Sequence, residues 1–187
     1  PDGDAARNLT GVETADVAEQ RQAIADYHLD ITDGKNSFPR QPFHKVVAIS
    51  FLEAEIQTEP DGTESYYFKS LGSNRKDDEL DIVEGFFRHL ESRMPRLVSY
   101  NGRTFDMPVL RYRGMMHGVA AQKLYGTARM NKWENYFSRY SADWHCDLLD
   151  VLSDFGASAR VKLNEVCSIL GLPGKFGVDG SKVADMY

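Results

Sequence analysis

One carboxylate, Asp106, stands where a predicted strand gives way to a predicted helix. Residues 97–100 favour a short buried strand, and the Asn-Gly pair at 101–102 tolerates the positive φ of a sharp turn. Thr104 is predicted to cap a helix that begins near Phe105, which puts Asp106 in its first turn. Because α/β folds place their sites at the carboxyl ends of strands, Asp106 is a candidate ligand for a hard divalent cation. The alternative is that Asp106 only complements the helix dipole.

The elements around this turn are predicted from apolar periodicity and turn residues. Residues 1–11 indicate a polar, turn-rich connection, and a last helix is predicted to begin at Ser181. Two strands at 46–56 and 65–71 are joined by a hairpin turn at 59–63. Helices are predicted at 13–29, 78–94, 105–117, 145–155 and 162–170. This order predicts an α/β protein with a mixed central β-sheet flanked by helices.

The length and composition fit one globular domain. The chain has 187 residues, 42% of them hydrophobic, and no apolar run reaches the length of a membrane span. Its two cysteines, Cys146 and Cys167, are far apart and lack the spacing of a zinc site. We therefore expect a protein without a membrane segment, with buried thiols, in the reducing cytoplasm.

Charge is distributed unevenly along the chain. The net charge of −6 argues against a protein that binds nucleic acid over its whole surface. Between residues 103 and 139, however, seven basic residues stand against Asp106 and Glu134, and five aromatic residues are interleaved with them: Tyr112, Tyr125, Trp133, Tyr136 and Phe137. Cations mixed with stacking rings suit a channel for single-stranded nucleic acid. A solvated helical face with ordinary core aromatics is the alternative.

The string from Asn101 to Leu110, NGRTFDMPVL, closely resembles the second motif of the DEDD 3′–5′ exonucleases. The likeness is greatest to stand-alone proteins related to the proofreading domain of family B DNA polymerases. It extends to residues 43–50, 145–150, 162–163 and 170–175. The resemblance implies the ribonuclease-H-like exonuclease fold, in the order β-β-β-α-β-α.

The resemblance also implies a chemistry. Such enzymes hydrolyse phosphodiester bonds at the 3′ end of single-stranded DNA with two divalent ions, Mg²⁺ or Mn²⁺, held by four carboxylates. Asp106 would be the catalytic metal ligand of the second motif, and the substrate-binding residues would be Asn101, Arg103 and Phe105. Alternatively, Asn101 is only a turn former and Phe105 a core aromatic. Asp147 would lie behind the metals or orient its helix.

Two of the family's motifs are missing from this sequence. The first, Asp-x-Glu on a buried strand, is not supplied by Asp2-x-Asp4, which lies in a turn-forming string, or by Glu53-x-Glu55, whose side chains share the solvent face of a strand. The last, Tyr-x-x-x-Asp, is not supplied by Tyr187. We therefore expect residues 1–187 to be one exonuclease-like domain truncated at both ends, without the family's first strand and last helix.

One carboxylate does not hold two Mg²⁺ ions, so a polypeptide of only these residues is expected to be inactive. Two main hypotheses follow for the parent protein. It is a metal-dependent 3′–5′ exodeoxyribonuclease, or it is a catalytically inactive module that binds nucleic acid with the same fold. A domain that serves only protein contacts is a third hypothesis.

Overall fold

The computed structural model describes residues 2–75, 78–125 and 135–175 and confirms the α/β class. Seven helices lie in these ranges: α1 Gly3–Thr10, α2 Val17–Ile31, α3 Glu79–Arg93, α4 Asp106–Met116, α5 Gln122–Tyr125, α6 Leu148–Leu152 and α7 Leu163–Ile169. The strands are β1 Ile49–Thr58, β2 Glu64–Asn74, β3 Leu97–Ser99 and β4 His145–Asp147, and two short 3₁₀ turns cover Gln41–Phe43 and Asp154–Gly156. The helix predicted to begin at Ser181, and Tyr187, lie outside the described residues.

The prediction of a turn-rich connection at residues 1–11 is wrong, because this segment forms helix α1. The Asp2 side chain caps the helix by accepting a hydrogen bond from the Ala5 amide at 2.9 Å, and Gly11 ends it at a φ of 73°. Asp and Gly are typical of turns, yet the same residue types also begin and end helices. Asp2 therefore serves as a helix cap and does not lie on a strand.

The predicted hairpin is confirmed as the antiparallel pair β1–β2. Leu52 lies opposite Leu71 and Ile56 opposite Tyr66, with a bulge next to Ala54. The face that these residues share carries large apolar side chains that are more than a third exposed: Leu52, Ile56, Tyr66, Phe68 and Leu71. The hairpin therefore extends from the core with one apolar face in solvent.

Glu53 and Glu55 on this hairpin have partners of their own. Glu53 accepts a hydrogen bond from the Ser70 hydroxyl at 3.2 Å. Glu55 pairs with Lys69 at 3.3 Å on an exposed surface. Both contacts are cross-strand pairs within the hairpin, which agrees with the interpretation that these carboxylates are not a metal-binding motif.

The helix predicted from residue 145 begins later than expected, because His145–Asp147 forms strand β4. This strand runs parallel to β3, with Leu97 opposite His145 and Ser99 opposite Asp147. Three residues carry too little pattern to show strand pairing by themselves. Within the described ranges the strands form two separate two-stranded sheets, β1–β2 and β3–β4, where one mixed central sheet was predicted.

The core lies chiefly between helices α3 and α4. Its buried apolar residues are Val46, Ile82, Val83, Phe87, Leu90, Met107, Val109, Leu110, Ala121, Leu124 and Tyr136. Gly114 of α4 permits the close approach of the two helices, because a Cβ there would lie 2.9 Å from the ring of Phe87 on α3. Packing of this core fixes the position of α4, and with it the position of Asp106.

A buried ionic network joins α3 to α4. The Arg113 guanidinium, 2% exposed, donates to both carboxylate oxygens of Glu79, with a distance of 2.8 Å for the Nε bond, and it pairs with Asp2 at 2.9 Å. Glu79 also accepts from the Val46 amide at 2.6 Å and contacts His117 Nε2 at 3.1 Å. Burial acts to raise the pKa of Glu79, but the bonds from Arg113 and Val46 prevail and lower it.

Two expectations concern membranes and cysteines. Among the described helices, none is both long and apolar enough to cross a membrane. Cys146 and Cys167 are free, and both are half-buried where full burial was predicted.

We predict that Glu79→Gln lowers the free energy of unfolding by about 3 kcal/mol at pH 7, because the buried Arg113 loses the charge of Glu79 and keeps only the Asp2 carboxylate. Urea unfolding provides the measurement. Glu84→Gln is the matched control on the same helix, since its exposed pair with Arg88, at 3.4 Å, is expected to contribute less than about 1 kcal/mol. Equal losses in the two variants would contradict the structural role of the network.

The same carboxylate should make stability depend on pH. Because the folded state lowers the pKa of Glu79, its contribution is complete above the unfolded pKa of about 4.3 and is lost as the pH falls through the folded pKa. Unfolding curves of the wild type and Glu79→Gln from pH 7 to pH 3 should therefore converge as the pH falls. A difference that stays constant over this range would contradict the assignment.

Candidate active site

The predicted strand–turn–helix is present, with β3 ending at Ser99 and α4 beginning at Asp106. Asn101 adopts the positive φ expected of it, 70°. Gly102 is required for a different reason, because a Cβ there would lie 2.5 Å from the Ser99 hydroxyl. Backbone bonds from Phe105 to Asn101 and from Met107 to Gly102, at 3.1 and 2.8 Å, close the turn onto the helix.

The prediction that Thr104 caps α4 is wrong. Phe105 occupies the N-cap position and makes no side-chain capping bond. The Thr104 hydroxyl donates instead to the Asn101 side-chain oxygen, within the turn. The first turn of α4 does not need this cap, because the Met107 amide donates to the Gly102 carbonyl at 2.8 Å and Pro108 has no N–H group.

Asp147 holds this turn in place. One of its carboxylate oxygens accepts hydrogen bonds from the amides of Asn101 at 2.8 Å and Leu149 at 3.1 Å, and the other accepts from the Arg103 amide at 2.8 Å. The parallel register makes this contact possible, because it sets Asp147 opposite Ser99, just before the turn. Asp147 is 2% exposed, so this carboxylate is a buried clamp on the turn and also the cap of α6.

Arg103 points into the protein. Its guanidinium donates to the carbonyl oxygens of Ser138, at 2.8 Å, and His145, and it pairs with Asp150 at 3.3 Å. Asp150 is buried and also pairs with Arg139 and Arg160, each at 3.4 Å. A role of Arg103 in substrate binding stays a prediction, and its contacts favour a part in positioning the turn.

His145 lies behind the turn on β4. Its Nε2 atom is 2.8 Å from the Ser99 hydroxyl, which ties the two strands together through their side chains. Burial lowers the pKa of His145, and the nearby positive charge of Arg103 lowers it further. The imidazole is therefore neutral at pH 7 and adds no charge behind the site.

Asp106 differs from the other two acids of this region because it is exposed. The atoms around its carboxylate still exclude part of the water, and this desolvation raises its pKa. The negative charge of Asp147 raises the pKa as well, whereas the Asp106 amide and the positive charge of Lys175 act to lower it. A solvent-facing carboxylate with a raised pKa and an anionic neighbour favours the approach of a cation.

For Phe105 and Asn101, a role in substrate binding stays a prediction. The Phe105 ring packs partly on the core and meets the rings of His44 and Phe38, with centroids 4.9 and 6.0 Å away. Asn101 is half-buried, and its side-chain oxygen accepts from Thr104. These contacts fit substrate-binding roles and also fit the alternatives, in which Asn101 is only a turn former and Phe105 a core aromatic.

The described basic residues between 103 and 139 all contact other groups of the protein, although Lys123 and Arg139 remain exposed. Three of the five in the described ranges pair with carboxylates: Arg103, Arg113 and Arg139. Arg111 lies over the Phe137 ring at 4.5 Å, and Lys123 donates to a carbonyl oxygen of α3 at 2.9 Å. The other predicted members of the patch lie outside the described residues: Arg129, Lys132, Trp133 and Glu134. A nucleic-acid channel here stays a prediction.

Metal binding can be tested against the available donors. Within the described ranges, no three or more His, Cys, Asp or Glu side chains form a group that could hold a metal ion. Asp147 already accepts three amide bonds. Of the three acids near this turn, Asp106 is the one available carboxylate, and by itself it does not fit a pair of divalent ions.

Comparison with known families agrees with this geometry. Residues 36–187 match the model of a family described as a predicted 3′–5′ exonuclease related to the exonuclease domain of PolB. The chain belongs to this family. Helices α1 and α2 precede the matched residues, whereas the whole Asn101–Asp106 turn lies within them. Searches of curated proteins and of solved structures gave no match to the chain.

Two contacts that shape the site could not be found from sequence. Asp150 forms ion pairs with three arginines, at positions 103, 139 and 160. The side-chain amide of Gln41 donates a hydrogen bond to the Thr104 carbonyl at 3.0 Å. Both join segments far apart along the chain, and no local spacing signals them. Their effect is to attach two adjacent residues of the Asn101–Asp106 turn, Arg103 and Thr104, to separate parts of the fold.

We predict that Asp147→Asn loosens this turn. An amide group has one acceptor oxygen where the carboxylate has two, so one or more of the three N–H groups loses its partner, at a cost of about 1–3 kcal/mol. Hydrogen exchange should become faster at the amides of Asn101 and Arg103. Asp16→Asn, which alters the exposed cap of α2, is the control and should leave exchange at these amides unchanged. Unchanged exchange in Asp147→Asn would contradict the clamp.

Proposed function

We propose that this protein is a 3′–5′ exonuclease that hydrolyses phosphodiester bonds at the 3′ ends of single-stranded DNA. The observation that carries the proposal is the exposed Asp106 carboxylate, at the start of α4 and on a turn held by Asp147, within a chain of this exonuclease family. The three acids of the region are used differently. Asp147 and Asp150 are buried and paired, and Asp106 alone of these three remains open to a ligand.

We propose further that the activity depends on Mg²⁺ or Mn²⁺ and uses two ions, with Asp106 as one ligand. An exposed carboxylate with an anionic neighbour and a raised pKa supports a cation site there. The remaining ligands would come from the first and last motifs that the resemblance implies, which are not found among these 187 residues. Asp147 would then hold the turn that presents Asp106, without binding metal itself.

The fold proposal follows the same resemblance. We propose that β1–β2 and β3–β4 are two parts of one ribonuclease-H-like sheet. The mixed directions of the strands support this, since one pair is antiparallel and the other parallel. A strand that carried the first motif would lie between the two pairs and bring its carboxylates to the edge where Asp106 lies.

The test is a nuclease assay on the full-length protein with a 5′-labelled single-stranded oligonucleotide and Mg²⁺ or Mn²⁺. We expect products that shorten from the 3′ end, and no shortening in EDTA. Asp106→Asn should lower the rate by more than about 100-fold, beyond the 10–100-fold loss typical of a residue that only supports a metal ligand.

Asp81→Asn is the matched control for Asp106→Asn, because Asp81 is also an exposed acid in the first turn of a helix, α3. It should cleave at the wild-type rate. Shortening by Asp106→Asn at the rate of the control would overturn the assignment of Asp106, and a wild-type protein without nuclease activity would overturn the proposed function.

A non-catalytic nucleic-acid-binding module is the second candidate. The observation in its favour is that the described residues contain no complete group of metal ligands. It predicts that the full-length protein binds single-stranded DNA in EDTA and leaves it intact after Mg²⁺ or Mn²⁺ is added. Binding should weaken as salt rises, because phosphate contacts release counterions.

A further inference from the structure

An aromatic residue outside the exonuclease motif, Phe38, lies beside the candidate site. It belongs to the segment between α2 and the 3₁₀ turn at Gln41–Phe43, and 51% of it is exposed. Its ring lies 6.0 Å from that of Phe105 and 5.1 Å from that of His44. Phe105 precedes Asp106 directly in the chain, so the exposed Phe38 ring contacts the residue next to the one that we assign to catalysis.

The segment that carries Phe38 is fixed by hydrogen bonds. The Phe38 amide donates to the Asn36 side chain at 2.9 Å, and the Arg40 amide donates to the buried His28 at 3.1 Å. The His44 ring donates to the Pro39 carbonyl at 2.9 Å. An exposed ring on an ordered segment loses little conformational entropy on binding, which suits it to contact a ligand.

The segment is also attached to the exonuclease turn itself. The Gln41 side chain donates to the Thr104 carbonyl at 3.0 Å, two residues before Asp106. The His44 ring meets the Phe105 ring edge to face at 4.9 Å. A ligand that stacks on Phe38 therefore has a fixed position relative to the start of α4.

We propose that Phe38, together with Phe105, forms a stacking surface for an unpaired base at the 3′ end of the substrate and so positions the terminal phosphodiester at Asp106. The inference rests on the proposed function and adds a substrate-positioning residue to it. Stacking on a ring requires a flat base with its face free, which favours single strands and is indifferent to base identity. This suits an enzyme that removes every nucleotide in turn.

The test separates stacking from general effects on the fold. Binding of the full-length protein to a fluorescent oligonucleotide is measured in EDTA, once with a natural 3′ base and once with an abasic 3′-terminal nucleotide. The wild type should bind the natural end about fivefold or more tightly than the abasic end, at the low end of the effect expected for one stacked base. Phe38→Ala should weaken binding of the natural end and remove most of this preference.

Three further variants make the result specific. Phe38→Tyr, which keeps the ring, should retain the preference, and Phe38→Leu, which keeps an apolar side chain, should lose it. Phe68→Ala removes another exposed ring, on the hairpin, and should behave as the wild type. The absence of any preference in the wild type, or a Phe38→Ala variant that keeps it or weakens both oligonucleotides equally, would overturn the proposal.

The outcome can be told apart from failure of the proposed function. Shortening of the natural oligonucleotide with Mg²⁺ or Mn²⁺ is scored separately from binding. A wild type that prefers the natural end but never shortens it retains the stacking surface and is not an exonuclease. A wild type that shortens the oligonucleotide with no preference for the terminal base is an exonuclease in which Phe38 does not stack.

Discussion

The parallel pairing of β3 with β4 is the constraint on which the candidate site depends. It sets Asp147 opposite Ser99, and the Asp147 carboxylate then accepts hydrogen bonds from the amides of Asn101 and Arg103. Without this strand pair the turn would have unpaired N–H groups and a buried carboxylate without donors, both of which are costly. A three-residue strand is too short to be stable alone, so strand and turn stabilise each other.

Helix α4 holds Asp106 in a fixed position because it is anchored at both ends. Its first residue, Asp106, follows the clamped turn, and Arg113, two turns later, is bound in the buried network with Glu79. A helix fixed in this way cannot rotate or slide without breaking buried charged contacts. The exposed carboxylate therefore has a defined position even though no described cation is within ion-pairing distance of it.

The acids of the site show how environment divides their roles. Asp147 accepts three amide hydrogen bonds and Asp150 pairs with three arginines, so their negative charge supports structure. Asp106 is exposed and has a raised pKa, which is a cost to folding that a ligand could relieve. The segment that carries Phe38 is hydrogen-bonded to the turn through Gln41, so the proposed stacking surface and the proposed metal ligand are attached to each other.

Periodicity, turn residues and motif strings are local signals, and they suffice to predict the α/β class, the hairpin, helices α2, α3, α4 and α7, the positive φ at Asn101 and the position of Asp106 at the start of α4. Long-range contacts are needed to show that His145–Asp147 is a strand, that Asp147 clamps the turn, and that Arg103 and Arg113 point inward. The same aspartate side chain accepts amide bonds at Asp147, pairs with arginines at Asp150 and stays exposed at Asp106, according to partners distant in sequence. Those partners are brought together by packing and strand pairing, which no spacing along the chain records.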